Sequence, residues 1–156
     1  LYSYLKLVSA SVKALEGTEA KRMFFIVPII VAACGSLDDV EILVEEELKG
    51  EQVHALGRFE MIVKKGDKRI CIVEAKKEDM EQGLAQCLVG AEVVSELEKL
   101  DITYGIITTY SAWYLTSSEN NSIQREAFYL SMHGTLPERD SLVELVAKIH
   151  SMLNSS

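Results

Sequence analysis

Apolar residues recur at three-to-four spacing over Leu5, Val8, Val12 and Leu15, which predicts a first amphipathic helix closing at Gly17. Thr18 is placed to cap a second helix from Glu19 to about Ala33, with Gly35 just past its end. That helix is almost wholly apolar from Met23 to Cys34, so it belongs in a core. Pro28 within it should kink the helix or loosen its hydrogen bond to Phe24. From Val40 the period changes to two. Val40 to Leu48 reads as a strand with Glu41, Glu45 and Glu47 mostly opposite Ile42 and Val44. Strands over 57–64 and 69–76 follow, and the short turn-forming link Lys65-Gly66-Asp67-Lys68 predicts that they pair as an antiparallel hairpin. Between Glu78 and Leu100 the helical period returns, with Met80, Leu84, Leu88, Ala91 and Val94 as the expected buried stripe. A crossover helix of that length delivers a parallel strand, expected over Ile102 to Thr109. Ala112–Ser117 and Ile123–Leu130, either side of Glu119-Asn120-Asn121, suggest a second hairpin. A last helix starts at Asp140, with Leu142, Leu145, Val146, Ile149 and Leu153 facing inward.

This alternation predicts one α/β layer domain over residues 1–156, with a central mixed sheet flanked by helices and no repeat or interdomain linker. The hydrophobic fraction of 48% and charged fraction of 26% are those of a globular chain. The longest apolar run, the twelve residues Met23–Cys34, falls short of the roughly eighteen a membrane span needs, so no membrane role is expected. Cys34, Cys71 and Cys87 sit in apolar helix or strand patterns and match no zinc spacing. They read as small buried hydrophobes in a reducing intracellular compartment. The chain begins at Leu1 without a signal-like segment, as a fragment or mature domain would.

A net charge of −8 argues against a general basic footprint for nucleic acid. The charge is uneven, however. Asp38–Glu51 holds two Asp and five Glu against one Lys, whereas Arg58–Lys77 holds seven Lys and Arg against three acids. Lys64, Lys65, Lys68 and Arg69 form either a phosphate-facing surface or a solvated hairpin tip. Glu45-Glu46-Glu47 guards a strand edge.

The chemistry concentrates in Ile-Cys-Ile-Val-Glu-Ala-Lys over 70–76. Alternation sends Ile70, Ile72, Glu74 and Lys76 one way and Cys71, Val73 and Ala75 the other. On the partner strand Arg58, Glu60, Ile62 and Lys64 share a face, so Glu60 and Glu74 can meet side by side. Charges ending an apolar strand need partners or work to do, because burying one unpaired costs several kcal/mol. Two carboxylates beside a lysine are either a structural ion-pair group or a divalent-metal constellation. Glu19 is an acid in a first helical turn, where the dipole favours it. Gln82 and Gln86 lie one turn apart on a face either solvated or turned to the site. Arg58 either offsets the nearby carboxylates or contacts phosphate. His54, His133 and His150 show no mutual spacing, and Trp113 reads as core. No Walker-type loop, Gly-x-Ser-x-Gly elbow or supported Cys/His dyad occurs.

An acidic residue in one strand followed by Glu-x-Lys at the end of the next, here Glu60 and Glu74-Ala75-Lys76, resembles the PD-(D/E)xK nuclease superfamily. Thr18-Glu19-Ala20-Lys21-Arg22 is similar to its first-helix glutamate segment, 82–92 to the helix that follows Glu-x-Lys, and Tyr104–Thr109 with Trp113 to the next strand. The resemblance covers roughly residues 18–115. Within the superfamily, the run Gly57–Gln86 looks most like the nuclease-like C-terminal domains of Crinkler-type effectors. The resemblance implies a restriction-endonuclease-like αβββαβ core, with the hairpin and C-terminal helix of about 112–153 added. It implies Mg²⁺ or Mn²⁺ held by Glu60, Glu74 and the Ala75 carbonyl, with Lys76 acting on water and, with Arg58, on substrate phosphate. Glu19 and Gln86 complete the implied catalytic set. The expected activity is phosphodiester hydrolysis of nucleic acid, DNA ahead of RNA, by an effector secreted by a microbe and acting in the host nucleus. The alternative is an inactive nuclease-like fold that binds a host protein or nucleic acid, and a homodimer is left open. The chain departs from the superfamily pattern in carrying Glu60 where aspartate is usual, with no preceding proline.

Overall fold

The structure, a computed structural model, describes residues 1–12, 18–52 and 56–156. Helix α1 (Tyr2–Ser11) ends at Val12, whose amide still bonds to Val8. The expected extension through Leu15 to Gly17, the side-chain cap at Thr18, and His54 lie outside the described residues. The second predicted helix is a composite of α2 (Thr18–Lys21), a π-helical turn (Arg22–Ile26) and α3 (Val27–Cys34). The expected disturbance at Pro28 takes this form. The Val27 amide reaches back five residues to Arg22, and Pro28 falls in the first turn of α3, where its missing N–H costs nothing.

Six strands form one sheet in sequence order: β1 (Val40–Lys49), β2 (Leu56–Lys65), β3 (Lys68–Ala75), β4 (Ile102–Thr108), β5 (Ala112–Glu119) and β6 (Ser122–Tyr129). Every neighbouring pair is antiparallel except β3–β4, which the crossover helix α4 (Met80–Glu98) makes parallel. The sheet is therefore mixed, as the alternation of periods predicts. A small two-stranded sheet, β7 (Met132–His133) with β8 (Leu136–Pro137), precedes α5 (Arg139–Asn154).

Helices cover both faces. On one, Met61, Val63, Cys71, Val73, Ile106 and Trp113 pack against Leu5, the π-turn residues Phe25 and Ile26, and Ile29, Leu145 and Ile149. On the other, α4 lays Cys87, Val93 and Val94 over Phe59, Ile62, Ile72 and Ile107. The buried stripe of α4 is rotated from the expected one: Gly83, Cys87, Gly90, Ala91 and Val94 face inward, while Met80, Leu84 and Leu88 are only partly covered. Glycines cause the rotation. A Cβ at Gly90 would stand 2.6 Å from the Phe59 ring and one at Gly83 would stand 2.6 Å from Ile107, so only the glycine face lets the helix close on the sheet.

Two expected strand faces also change. The β2–β3 ladder slips between Val63 and Lys64, pairing Val63 with Cys71 but Lys64 with Arg69, so Ile70 is an extra residue and joins the cluster of Cys71. On β2, Phe59 and Ile62 pack in the same cluster, so strict alternation breaks at Glu60. Opposite it, Glu45 lies at φ +57° between the paired residues Val44 and Glu46. The sheet is distorted where its acids meet. At the far edge β6 pairs with β5 in unbroken register and is exposed at nearly every position.

Candidate functional site

Where β2 leaves β3, the ladder is last paired at Met61 and Val73. Beyond that point Ala75 has no backbone acceptor on β2. Its amide instead donates to Glu60 Oε2 at 2.9 Å. The carboxylate of Glu60 thus closes the gap between the diverging strands and is fixed beside Glu74. On its other side β3 stays paired with β4, Glu74 opposite Ile107 and Ala75 opposite Thr108, and the Lys76 amide extends the ladder to the Thr108 carbonyl at 2.8 Å. Glu74, Ala75 and Lys76 therefore sit at the carboxyl ends of two parallel strands. Open α/β sheets place ligands outside such ends.

Glu74 is only 3% exposed, and Lys76 Nζ lies 3.6 Å from its Oε2. Burial pushes the Glu74 carboxyl up to about 7, the Glu60 charge adds to the rise, and Lys76 opposes it. The stem of Lys76 passes beneath α4, where a Cβ at Gly83 would stand 2.9 Å from Lys76 Cγ. Helix α4 begins immediately beyond, capped by Asp79, which accepts from the Gln82 amide at 2.9 Å. Sequence reasoning missed Gly83 and Thr108, the two positions that set where Lys76 lies. A glycine inside a helical run was the available signal for the first.

The structure brings Glu60, Glu74, Ala75 and Lys76 together. The other expected site residues have different surroundings. Glu19 is 80% exposed in its side chain and pairs with Arg22 at 2.9 Å. Gln86 and Gln82 lie on the exposed face of α4. Arg58 pairs at 3.1 Å with Glu45, the residue opposite the Glu60 distortion. The basic hairpin tip is largely used internally. Lys64 pairs with Glu41, Arg69 with Glu98 and Glu46, and Lys65 donates to the Leu153, Asn154 and Ser156 carbonyls at the end of α5. His133 pairs with Glu138, His150 contacts the Ala33 carbonyl, and Trp113 is fully buried. The three cysteines are buried free thiols, and burial raises Cys34 to about 11 and Cys87 to about 12.

Among the described residues no group of three or more His, Cys, Asp and Glu gathers in a metal-holding cluster. Glu60 and Glu74 supply oxygen only. This donor set suits Mg²⁺ or Mn²⁺, which are anchored by one or two carboxylates and keep several waters, and it does not suit a closed zinc centre.

Among the described residues no helix is long and apolar enough to cross a membrane. No protein-family model matches the chain. It is 41% identical over 156 residues to Crinkler effector protein 5 of Phytophthora infestans, an alignment covering 99% of this chain and 45% of that protein. The chain thus spans less than half the length of this curated relative. The aligned stretch covers almost the whole of this chain and supports a Crinkler-like relationship for it.

Proposed function

We propose that this domain hydrolyses phosphodiester bonds of nucleic acid with Mg²⁺ or Mn²⁺, through a PD-(D/E)xK-type site on a restriction-endonuclease-like core. The observation that carries the reading is the buried Glu74 at a strand end, flanked by Glu60 and Lys76. A structural ion pair would balance its charges; this group holds two carboxylates to one lysine and leaves Glu74 with a raised pKa. The order helix, three strands, helix, strand supports the same reading. A bound divalent ion would lower the pKa of a metal water and neutralise charge on the scissile phosphate. Glu60 and Glu74 would anchor it, with the Ala75 carbonyl as a further oxygen. Lys76 orients the attacking water or offsets charge on the phosphate. Glu19 and Gln86 contribute only if substrate draws their exposed side chains inward, and Arg58 only by releasing Glu45. DNA is the favoured substrate ahead of RNA. The setting we propose is that named for the relative, an effector, here secreted by a microbe and acting in the host nucleus.

One observation favours a second reading, a nuclease-derived module that binds without cutting. Glu60 already has a structural task in accepting the Ala75 amide, and that bond needs no ion. A plasmid-nicking assay beside a calorimetric Mn²⁺ titration separates the two. The nuclease reading expects cleavage by the wild type and Mn²⁺ binding lost in Glu74→Ala. Wild-type cleavage no greater than that of Lys76→Ala, on DNA and on RNA, leaves the binding module.

A further inference from the structure

Two residues past Thr108, where the β3–β4 ladder ends, the backbone does something costly. Tyr110 sits at φ +84° between β4 and β5, a region that L side chains rarely adopt and aromatic ones less still. At Gly66 and Gly134 the chain meets the same demand with glycine. Here it keeps a large ring that is 95% removed from solvent, and every polar group of the residue is engaged. The Tyr110 amide donates to Thr108 Oγ1 at 2.8 Å, and its carbonyl accepts from the Trp113 indole at 2.6 Å. Its hydroxyl donates to the Thr135 carbonyl at 2.6 Å, and its ring lies 4.6 Å from that of Phe25 in the π turn. Backbone strain persists only where surrounding structure over-determines it, and it concentrates beside functional sites.

What this arrangement fixes is Thr108. Its hydroxyl is held by Tyr110, its side chain is fully buried, and its carbonyl accepts the Lys76 amide. Lys76 lies just past the last residue of β3, where no further strand pairing on the β2 side restrains it. We propose that Tyr110 is a positioning residue for Lys76, acting through Thr108 from the strained turn between β4 and β5. The inference concerns the placement of Lys76, and only its kinetic arm rests on the nuclease reading.

Amide hydrogen exchange in the full 156-residue chain tests it. Thr108→Val keeps the shape of the side chain but removes the acceptor of the Tyr110 amide, whereas Thr108→Ser restores it. The expected result is exchange at the Lys76 amide faster by tenfold or more in Thr108→Val, near wild type in Thr108→Ser, with the Ile72 and Ile106 amides unchanged in both. Tyr110→Phe, which loses only the bond to Thr135, should speed Lys76 exchange about threefold and decides the matter if Thr108→Val does not fold. Exchange at Lys76 that is unchanged, or that rises only in step with Ile72, overturns the proposal. If the wild type cleaves nucleic acid, Thr108→Val should lower kcat and leave KM in place. An absence of cleavage removes the nuclease reading and leaves the exchange result to stand alone.

Discussion

Glu74 is the residue on which the electrostatics of the molecule turn. Its folded pKa, raised to about 7 from an ordinary 4.5, means that the folded state holds a proton the unfolded chain has released across that interval. Stability linked to this group is fully present below about 4.5 and is lost as pH rises through about 7. The loss is on the order of 3 kcal/mol, since each pKa unit is worth about 1.4. Urea midpoints should therefore fall between pH 5 and pH 8 in the wild type, and Glu74→Gln should flatten that trend. An unchanged slope in the Gln variant would assign it to other groups. Lys76 works against the rise, so Lys76→Ala should push Glu74 higher still while leaving the fold intact. If the domain cuts, the same substitution should lower the rate by roughly 10²–10³-fold, the usual loss on removing a preorganised charge at a transition state. A nicking time course on folded Lys76→Ala, verified by circular dichroism, gives that number. At this scale the sequence was legible: a carboxylate and a lysine two apart at the end of an apolar strand could hardly be ordinary. The partner of Glu60 could not be read, because the Ala75 amide becomes available only where two strands diverge.

At the scale of elements, helix α4 is the informative case. Its length predicted a parallel β4, and the pairing of Glu74 with Ile107 bears that out. The buried stripe was misread because periodicity weights large apolar residues, whereas close approach selects small ones. Glycine to alanine in a helix interior ordinarily stabilises by up to about 1 kcal/mol. At Gly83 and Gly90 the sign should reverse, since the added Cβ meets Ile107 and Lys76 in one case and Phe59 and Ile72 in the other. Overpacking of this kind costs about 1–3 kcal/mol. Thermal midpoints should fall for both Gly83→Ala and Gly90→Ala. If the carboxylates hold Mn²⁺ as proposed, only Gly83→Ala should also change its affinity, because it alone displaces Lys76 beside them. A rise in either midpoint would show that α4 has room to lift. The strand faces of β2 and β3 were misassigned for a related reason. The extra residue at Ile70 and the break at Glu60 arise from pairing across the sheet, and no single strand's alternation contains them.

At the scale of the whole molecule, the two borders of the sheet are finished differently. The β1 border carries Glu45, Glu46 and Glu47, and Glu45 twists out of regular extension. The β6 border has neither device. Its Ile123 and Tyr129 are 53% and 65% exposed, and its charged residues are occupied, Arg125 with Glu81 and Glu126 with Lys148. A straight open border offers unpaired amides and carbonyls to any other chain. Among copies of this chain, mutual repulsion at a net charge of −8 holds that hazard off. The protection disappears near the isoelectric point of about 4.9, which makes β6 the place where the protein should begin to come out of solution. Light scattering at pH 5 should rise with time for the wild type, and Ile123→Lys with Tyr129→Lys should suppress it. Equal scattering by that double variant would put the sticky surface elsewhere. The border that closes one side of the fold would then set its colloidal behaviour in any compartment as acidic as its own isoelectric point.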